Sequence, residues 1–349
     1  MKEIDINSLV RPNILKLKPY SSARMEFQGN ASVWLDANEN PYGTRYNRYP
    51  DPIQTKLRER LAIIKGINQN QLFIGNGSDE VIDLLIRAFC EPGQDSILTF
   101  TPSYTMYITS AEINNVDVVE IPLTRSFEIP LEQVKNTITE YTKLIFICTP
   151  NNPIGNVVPI ELIVDLCKSF NGLVVVDEAY IDFSDSLSAV KVMNAYPNLF
   201  ILQTLSKAFG MAGLRLGMGI GSSKVIDVLM RIKPPYNVSQ VTQDLVLEKL
   251  NYLPEILSLT QSIKEERERL YQSLMTSSLF YQIFPSEGNF ILVQTEKYKE
   301  LYDYLCKKGI VVRVRNILPV LPQGLRFTVG LPEENTRLIN YITQFENQK

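Results

Sequence analysis

Thr204-Leu205-Ser206-Lys207-Ala208-Phe209-Gly210-Met211-Ala212-Gly213-Leu214-Arg215-Leu216-Gly217 follows the apolar run Leu199-Phe200-Ile201-Leu202. That run reads as a buried strand, so Lys207 falls at or just past its end, where open α/β sheets place their ligand crevices. An ammonium beside bulky apolar neighbours holds its charge poorly, because desolvation lowers its pKa. A lysine poised in this way can form an imine with an aldehyde. Ser206 and Arg215 add a hydroxyl and a permanent cation, both suited to a phosphate. An aldehyde and a phosphate on one ligand describe pyridoxal phosphate, and the other strand ends must then supply partners for a pyridine ring.

The same pattern recurs upstream of this stretch. Leu173-Val174-Val175-Val176 ends in Asp177, with Glu178, Ala179 and Tyr180 behind it. A carboxylate that caps a buried strand needs a cation, which a structural arginine or a protonated ring nitrogen would provide. Leu144-Ile145-Phe146-Ile147-Cys148 is apolar throughout, as in a strand buried on both faces, and runs into Thr149-Pro150-Asn151-Asn152-Pro153. Asn152 there can donate to a phenolic oxygen. Ile97 to Phe100 leads to Tyr104, an aromatic placed to stack on a flat ring. Leu72-Phe73-Ile74 leads to Gly75-Asn76-Gly77-Ser78-Asp79 and a helix expected from Asp79 to Cys90. A glycine-rich turn that enters a helix aims backbone N–H groups and a positive dipole end at an anion.

Further strands are expected at Val116 to Leu123 and Met218 to Gly221, and helices at Gln54 to Lys65 and Ile160 to Phe170. Strands alternating with helices, with polar groups at the strand ends, predict a mostly parallel sheet flanked by helices. From about Pro254 a long helical pattern leads into a smaller α+β unit, with strands expected at Asn289 to Gln294, Gly309 to Arg313 and Leu325 to Val329. Helices are expected there at Tyr298 to Lys308 and Glu333 to Phe345. Arg313 and Arg326 on its strands are candidate anion binders, whereas Arg315 reads as solvated surface. The expected division is an N-terminal arm over 1–34, a large domain over 35–250 and a small domain over 251–349. The arm carries no strong periodicity, as if it packs on something else, a second subunit included.

Composition narrows the chemistry. The 349 residues carry a net charge of -3, which gives no footprint for nucleic acid or an anionic membrane surface. No apolar run approaches the roughly 20 residues of a membrane helix, and the start lacks the apolar core of a secretory signal. The four cysteines, Cys90, Cys148, Cys167 and Cys306, form no CxxC pair, so no metal site is expected and reduced thiols suit a cytoplasmic protein. The chain has no histidine, which removes Ser-His-Asp and Cys-His catalysis together. Proton transfer then falls to Lys, Tyr, Asp or Glu.

Assembled, these parts make a pyridoxal phosphate site. Lys207 supplies the imine and Asp177 keeps the ring nitrogen protonated. Asn152 and Tyr180 tune the phenolic oxygen, Tyr104 covers the ring, and Ser78, Asp79, Ser206 and Arg215 hold the phosphate. A protonated ring nitrogen makes the cofactor an electron sink, and the amine of Lys207, once displaced, is the base beside the substrate Cα.

The order and wording of these motifs resemble fold-type I pyridoxal-phosphate-dependent aminotransferases over nearly the whole chain, in particular the histidinol-phosphate aminotransferase family. Pro19-Tyr20-Ser21-Ser22-Ala23-Arg24, Asp36-Ala37-Asn38-Glu39-Asn40-Pro41-Tyr42-Gly43, Gly77-Ser78-Asp79-Glu80, Leu84 to Gly93, Pro150 to Pro153, Asp177 to Tyr180 and Leu205 to Phe209 carry the resemblance. It implies amino transfer between L-histidinol phosphate and 2-oxoglutarate, and a cytoplasmic homodimer with active sites at its interface. Tyr49 would reach the neighbour's cofactor phosphate and Tyr20 the neighbour's substrate. Asn40 would wall the substrate pocket, Arg326 would bind carboxylate, and Arg313 would help bind the substrate's anionic group. Ile154 stands where the family usually shows threonine, and Val314 to Pro322 matches poorly. A threonine-phosphate decarboxylase-like lyase and an aromatic amino acid aminotransferase share much of this pattern. A non-enzymatic binding domain would not need Lys207, Asp177 and Arg215 intact.

Overall fold

A computed structural model of the chain describes residues 4–348. Residues 1–3 and 349, the outer ends of the expected arm and small domain, lie outside them, as does the start of the stretch read for a secretory signal.

Seven strands form the main sheet: β1 (Leu72–Asn76), β2 (Ser96–Thr101), β3 (Asp117–Pro122), β4 (Thr142–Cys148), β5 (Leu173–Asp177), β6 (Leu199–Thr204) and β7 (Leu216–Ile220). Their order is β1-β7-β6-β5-β4-β2-β3, parallel except for β7, which runs antiparallel to both its neighbours. The strand expected at Met218 to Gly221 is this one, begun two residues earlier. The period of two along a strand divides the core between the faces of the sheet. Val174, Val176 and Ile201 join one apolar layer, while Val175, Phe146, Phe200 and Leu202 join the other. Asp177 shares the parity of Leu173 and Val175, so it emerges on the second face, toward the fully buried Tyr107.

The second sheet is antiparallel throughout, in the order β10-β11-β9-β8, from β8 (Gln282–Phe284), β9 (Phe290–Gln294), β10 (Arg313–Ile317) and β11 (Leu321–Thr328). The strand expected at Gly309 to Arg313 begins only at its last residue. Lys308 and Gly309 turn out of helix Tyr298–Lys307, and pairing starts where Arg313 meets Arg326. β11 begins four residues before its expected start because its partner in the hairpin runs on to Ile317, opposite Leu321.

Helix Leu253–Met275 belongs to both cores. Leu253 and Ile256 pack on the main-sheet layer of Val174 and Ile201, and Leu270 and Leu274 are buried against the second sheet with Leu325 and Phe327. We therefore propose to draw the domain boundary inside this helix rather than at residue 250. No helix among the described residues is long and apolar enough to cross a membrane.

The arm divides into two. Ile6, Val10 and Ile14 bury against the chain's own core, and Arg11 pairs with Glu91 at 3.1 Å. From Leu17 the rest of the arm and the loop that follows it are open, with Val33 68%, Leu35 88% and Tyr42 82% exposed.

Candidate active site

At the carboxyl ends of the central strands lies a cleft partly open to solvent. It brings together Ser78, Asp79, Tyr104, Asn152, Asp177, Tyr180, Ser206, Lys207 and Arg215.

Two glycines shape one wall of it. Gly77 caps helix Ser78–Phe89 with φ +80°, a backbone that L side chains rarely adopt, and a Cβ there would lie 2.9 Å from Arg215 Nη2. A Cβ on Gly217 would sit 2.1 Å from the backbone nitrogen of Ser78, so only glycine lets β7 and this helix end touch. The helix N-terminus and Arg215 are thereby held on one side, and Arg215 Nη2 lies 3.7 Å from Asp79 Oδ2. Asp79 in turn accepts a hydrogen bond from the Tyr104 hydroxyl at 3.0 Å, which fixes the ring of Tyr104 across the cleft.

Asp177 sits at the floor. Its Oδ2 accepts from the Tyr107 hydroxyl at 2.6 Å and its Oδ1 from the Ala179 N–H at 3.0 Å. Burial pushes its pKa up to about 6 against these two donors, and the Lys207 charge eases it least of the causes. The carboxylate thus has hydrogen-bond donors but, among the described residues, no cation paired with it. Asn152 Nδ2 donates to the Tyr180 hydroxyl at 3.2 Å, while its Oδ1 takes Arg326 Nη1. Burial drives the Tyr180 pKa well above its ordinary value. Lys207 Nζ lies 5.5 Å from the centre of the Tyr180 ring. Lys207 reaches solvent through the cleft mouth, yet the protein crowded round its amine lowers its pKa, with the Arg326 charge adding to the effect.

The polar parts of pyridoxal phosphate fit these groups. A cationic ring nitrogen answers Asp177, a phenolic oxygen answers Tyr180 and Asn152, a phosphate answers the helix end and Arg215, and an aldehyde answers Lys207.

Other candidates lie elsewhere. Tyr49 stacks on Tyr236 with ring centres 4.5 Å apart, and the Tyr20 hydroxyl is 3.4 Å from that of Tyr236. Glu39 fixes this region by accepting from Arg24, Arg48 and the Tyr49 N–H. Asn40 is exposed and accepts from the Tyr42 N–H at 2.9 Å. None of Tyr20, Asn40 and Tyr49 lines the Lys207 cleft of its own chain. Arg313 is exposed, directly across the hairpin from Arg326.

Two residues escaped the sequence reading. Tyr107, stacked on Phe146 with ring centres 4.8 Å apart, looked like any core tyrosine, and only the sheet parity shows that it meets Asp177. Arg315, read as solvated surface, is half-buried, with a shielded Nε that has no hydrogen-bond partner. Its alternation with Arg313 on the strand was the available signal.

Comparison with known proteins agrees with this geometry. The family model described as aminotransferase class I and II matches residues 25–342. A Parabacteroides distasonis protein named histidinol-phosphate aminotransferase is 51% identical over 336 residues, covering 96% of this chain and 97% of that one. The structure of the Clostridium acetobutylicum histidinol-phosphate aminotransferase superposes with a TM-score of 0.79 at 26% identity, over 90% of this chain and 98% of that one. The Sinorhizobium meliloti enzyme of that name, solved with pyridoxal-5'-phosphate, gives 0.78 at 22% identity over 88% and 90%. A Porphyromonas gingivalis L-threonine-O-3-phosphate decarboxylase shares the fold, with a TM-score of 0.72 at 19% identity over 85% of this chain and 90% of that one. The chain belongs to the class I and II aminotransferases, among relatives named histidinol-phosphate aminotransferase.

Proposed function

We propose that this aminotransferase binds pyridoxal phosphate in the Lys207 cleft and moves an amino group between L-histidinol phosphate and 2-oxoglutarate. The observation that carries the reading is a buried carboxylate, Asp177, facing the same cleft as a lysine of lowered pKa and a helix N-terminus. The cofactor, when bound, supplies an aldehyde to receive the amino group and a cationic ring that withdraws electrons from the substrate Cα.

Each residue has a separate task. The negative charge of Asp177 would keep the ring nitrogen protonated, and Tyr107 orients that carboxylate. Ser78, Asp79, Ser206 and Arg215 seat the phosphate, and Tyr104 holds the ring in place. Asn152 and Tyr180 steady the phenolic oxygen. Lys207 secures the cofactor at rest. Its Nζ, neutral more readily because its pKa is lowered, then carries the proton at the substrate Cα. Arg326, bonded to Asn152, binds the anionic end of the substrate with Arg313.

We assign the working unit as a cytoplasmic homodimer. The exposed apolar run through Val33, Leu35 and Tyr42 offers a surface for a second copy, and Tyr20, Asn40 and Tyr49 would complete the neighbour's site.

The 51% identity to a protein named for histidinol phosphate favours this substrate over phosphothreonine or aromatic amino acids. Purified protein with the cofactor and 2-oxoglutarate is expected to release glutamate fastest from histidinol phosphate. Faster turnover of an aromatic amino acid, or carbon dioxide release from threonine phosphate, would overturn the assignment.

A further inference from the structure

Arg313, Arg315 and Arg326 share one face of the β10–β11 hairpin. Arg313 pairs directly with Arg326, and Arg315, two residues along the same strand, pairs with Gly324. Residues opposite each other in an antiparallel pair project to the same side, as do residues two apart. Gly324 has no side chain on that side, which leaves the space to Arg315. A Cβ on Gly324 would also stand 2.3 Å from the Arg315 carbonyl oxygen. The other side of the hairpin, with Leu325 and Phe327, packs into the core of the second sheet.

Among the described residues these cations have no carboxylate paired with them. The charges of Arg313 and Arg326 act on Arg315 unfavourably, and burial with that repulsion brings its pKa down to about 10. Both Arg315 Nε and Arg326 Nε are shielded from solvent without a hydrogen-bond partner. Arg326 adds its charge against Lys207. A carboxylate brings one negative charge to this face, whereas a phosphomonoester brings about two at neutral pH and three acceptor oxygens. In histidinol phosphate the phosphate replaces the α-carboxylate of an amino acid and lies two bonds farther from Cα. Arg326, tied to Asn152 at the cleft, is placed for the nearer anion.

We propose that Arg315 is a specificity-determining residue that engages the substrate's phosphate and not the carboxylate of glutamate, so that one face accepts both amino donors and favours the phosphorylated one. The inference rests on the proposed substrate.

The test measures the two half-reactions separately, by the absorbance change of the cofactor, in wild type, Arg315→Gln and Arg315→Lys. Losing a charge-assisted contact to phosphate is expected to raise KM for histidinol phosphate about 10- to 100-fold in Arg315→Gln, with kcat and the glutamate KM changed less than about threefold. Arg315→Lys, which keeps the charge but not the planar fork, should fall between. Unphosphorylated histidinol should react equally with wild type and Arg315→Gln. An unchanged KM for histidinol phosphate overturns the inference, and so do equal losses for histidinol phosphate and glutamate, which would make Arg315 a support of the hairpin. Wild type that ignores histidinol phosphate altogether sinks the proposed substrate instead. Arg315 is then judged by inorganic phosphate competing against glutamate. Competition weakened in Arg315→Gln sustains an anion site there, and equal competition refutes it.

Discussion

The Lys207 cleft and the exposed segment from Leu17 to Tyr49 are incomplete in different ways. In the cleft the polar groups already hold one another: the Tyr107 hydroxyl and the Ala179 N–H hold Asp177, Arg326 and Tyr180 hold Asn152, and Asp79 holds Tyr104. What remains unanswered among the described residues is charge, a carboxylate without a paired cation and a cluster of arginines without a paired anion. In the exposed segment Glu39 satisfies the polar groups, and what remains unanswered is apolar surface. A small charged molecule suits the first kind of site, and the second copy proposed above suits the second.

The sharpest way to break that contrast is at Lys207. Lys207→Ala should lower the transfer rate on the order of 10³-fold or more, since no histidine or second lysine in the cleft can move the proton instead. The visible absorption band of the bound cofactor should change with it. A variant that keeps most of its rate would place the chemistry elsewhere.

The next largest effect tests the exposed segment. Tyr49→Ala should lose roughly tenfold or more in cofactor affinity, the scale of one phosphate hydrogen bond. Mixed with Lys207→Ala subunits it should regain activity, because a hybrid dimer holds one site with Lys207 from one copy and Tyr49 from the other. A mixture no better than the sum of its parts would mean that each copy works alone.

A third experiment reads the charge demand of the cleft through pH. The Asp177 pKa in the folded protein, about 6, lies above that of an ordinary aspartate, so the folded state binds its proton more tightly than the unfolded one. The stability linked to that proton is present below about pH 4 and is lost as pH rises through 6. At about 1.4 kcal/mol for each pH unit crossed, the cofactor-free protein should lose on the order of 2–3 kcal/mol over this window, and Asp177→Asn should flatten the slope. Tyr107→Phe removes a donor to the charged form and should carry the loss to higher pH. Melting curves between pH 4 and 7 check both, and identical curves for wild type and Asp177→Asn would dismiss the charge demand.

What could be read in the sequence follows the same division. The sheet strands were legible because burial on both faces demands unbroken apolar runs, as in Leu173 to Val176, and the motif residues stood at the ends of those runs. The arm's register was not legible, since Ile6, Val10 and Ile14 pack on their own core from short turns without sustained period. Tyr107 was hidden because its partner lies 70 positions away, across strands whose order no local pattern encodes. Arg315 was misjudged because alternation on a short strand gives a face but does not say what covers it.

The smallest expected effect comes from Ile154, where the family usually shows threonine. The position read as a loop, but Ile154 is 3% exposed and packs with Phe284, Leu292 and Leu321, at the seam between the β4 loop and the second sheet. Leu292 lies opposite Arg326 in the β9–β11 ladder, so the contact presses the face that carries Arg326 toward Asn152. Ile154→Thr removes buried apolar volume and adds a hydroxyl, costing roughly 1–2 kcal/mol, or a few degrees in Tm. Arg326 remains tied to Asn152 by its own hydrogen bond, so kcat should change less than about twofold. Thermal melting and a rate assay on the same preparation decide between the two contributions. A large fall in kcat with Tm unchanged would show that the seam aligns the arginine face rather than merely filling space.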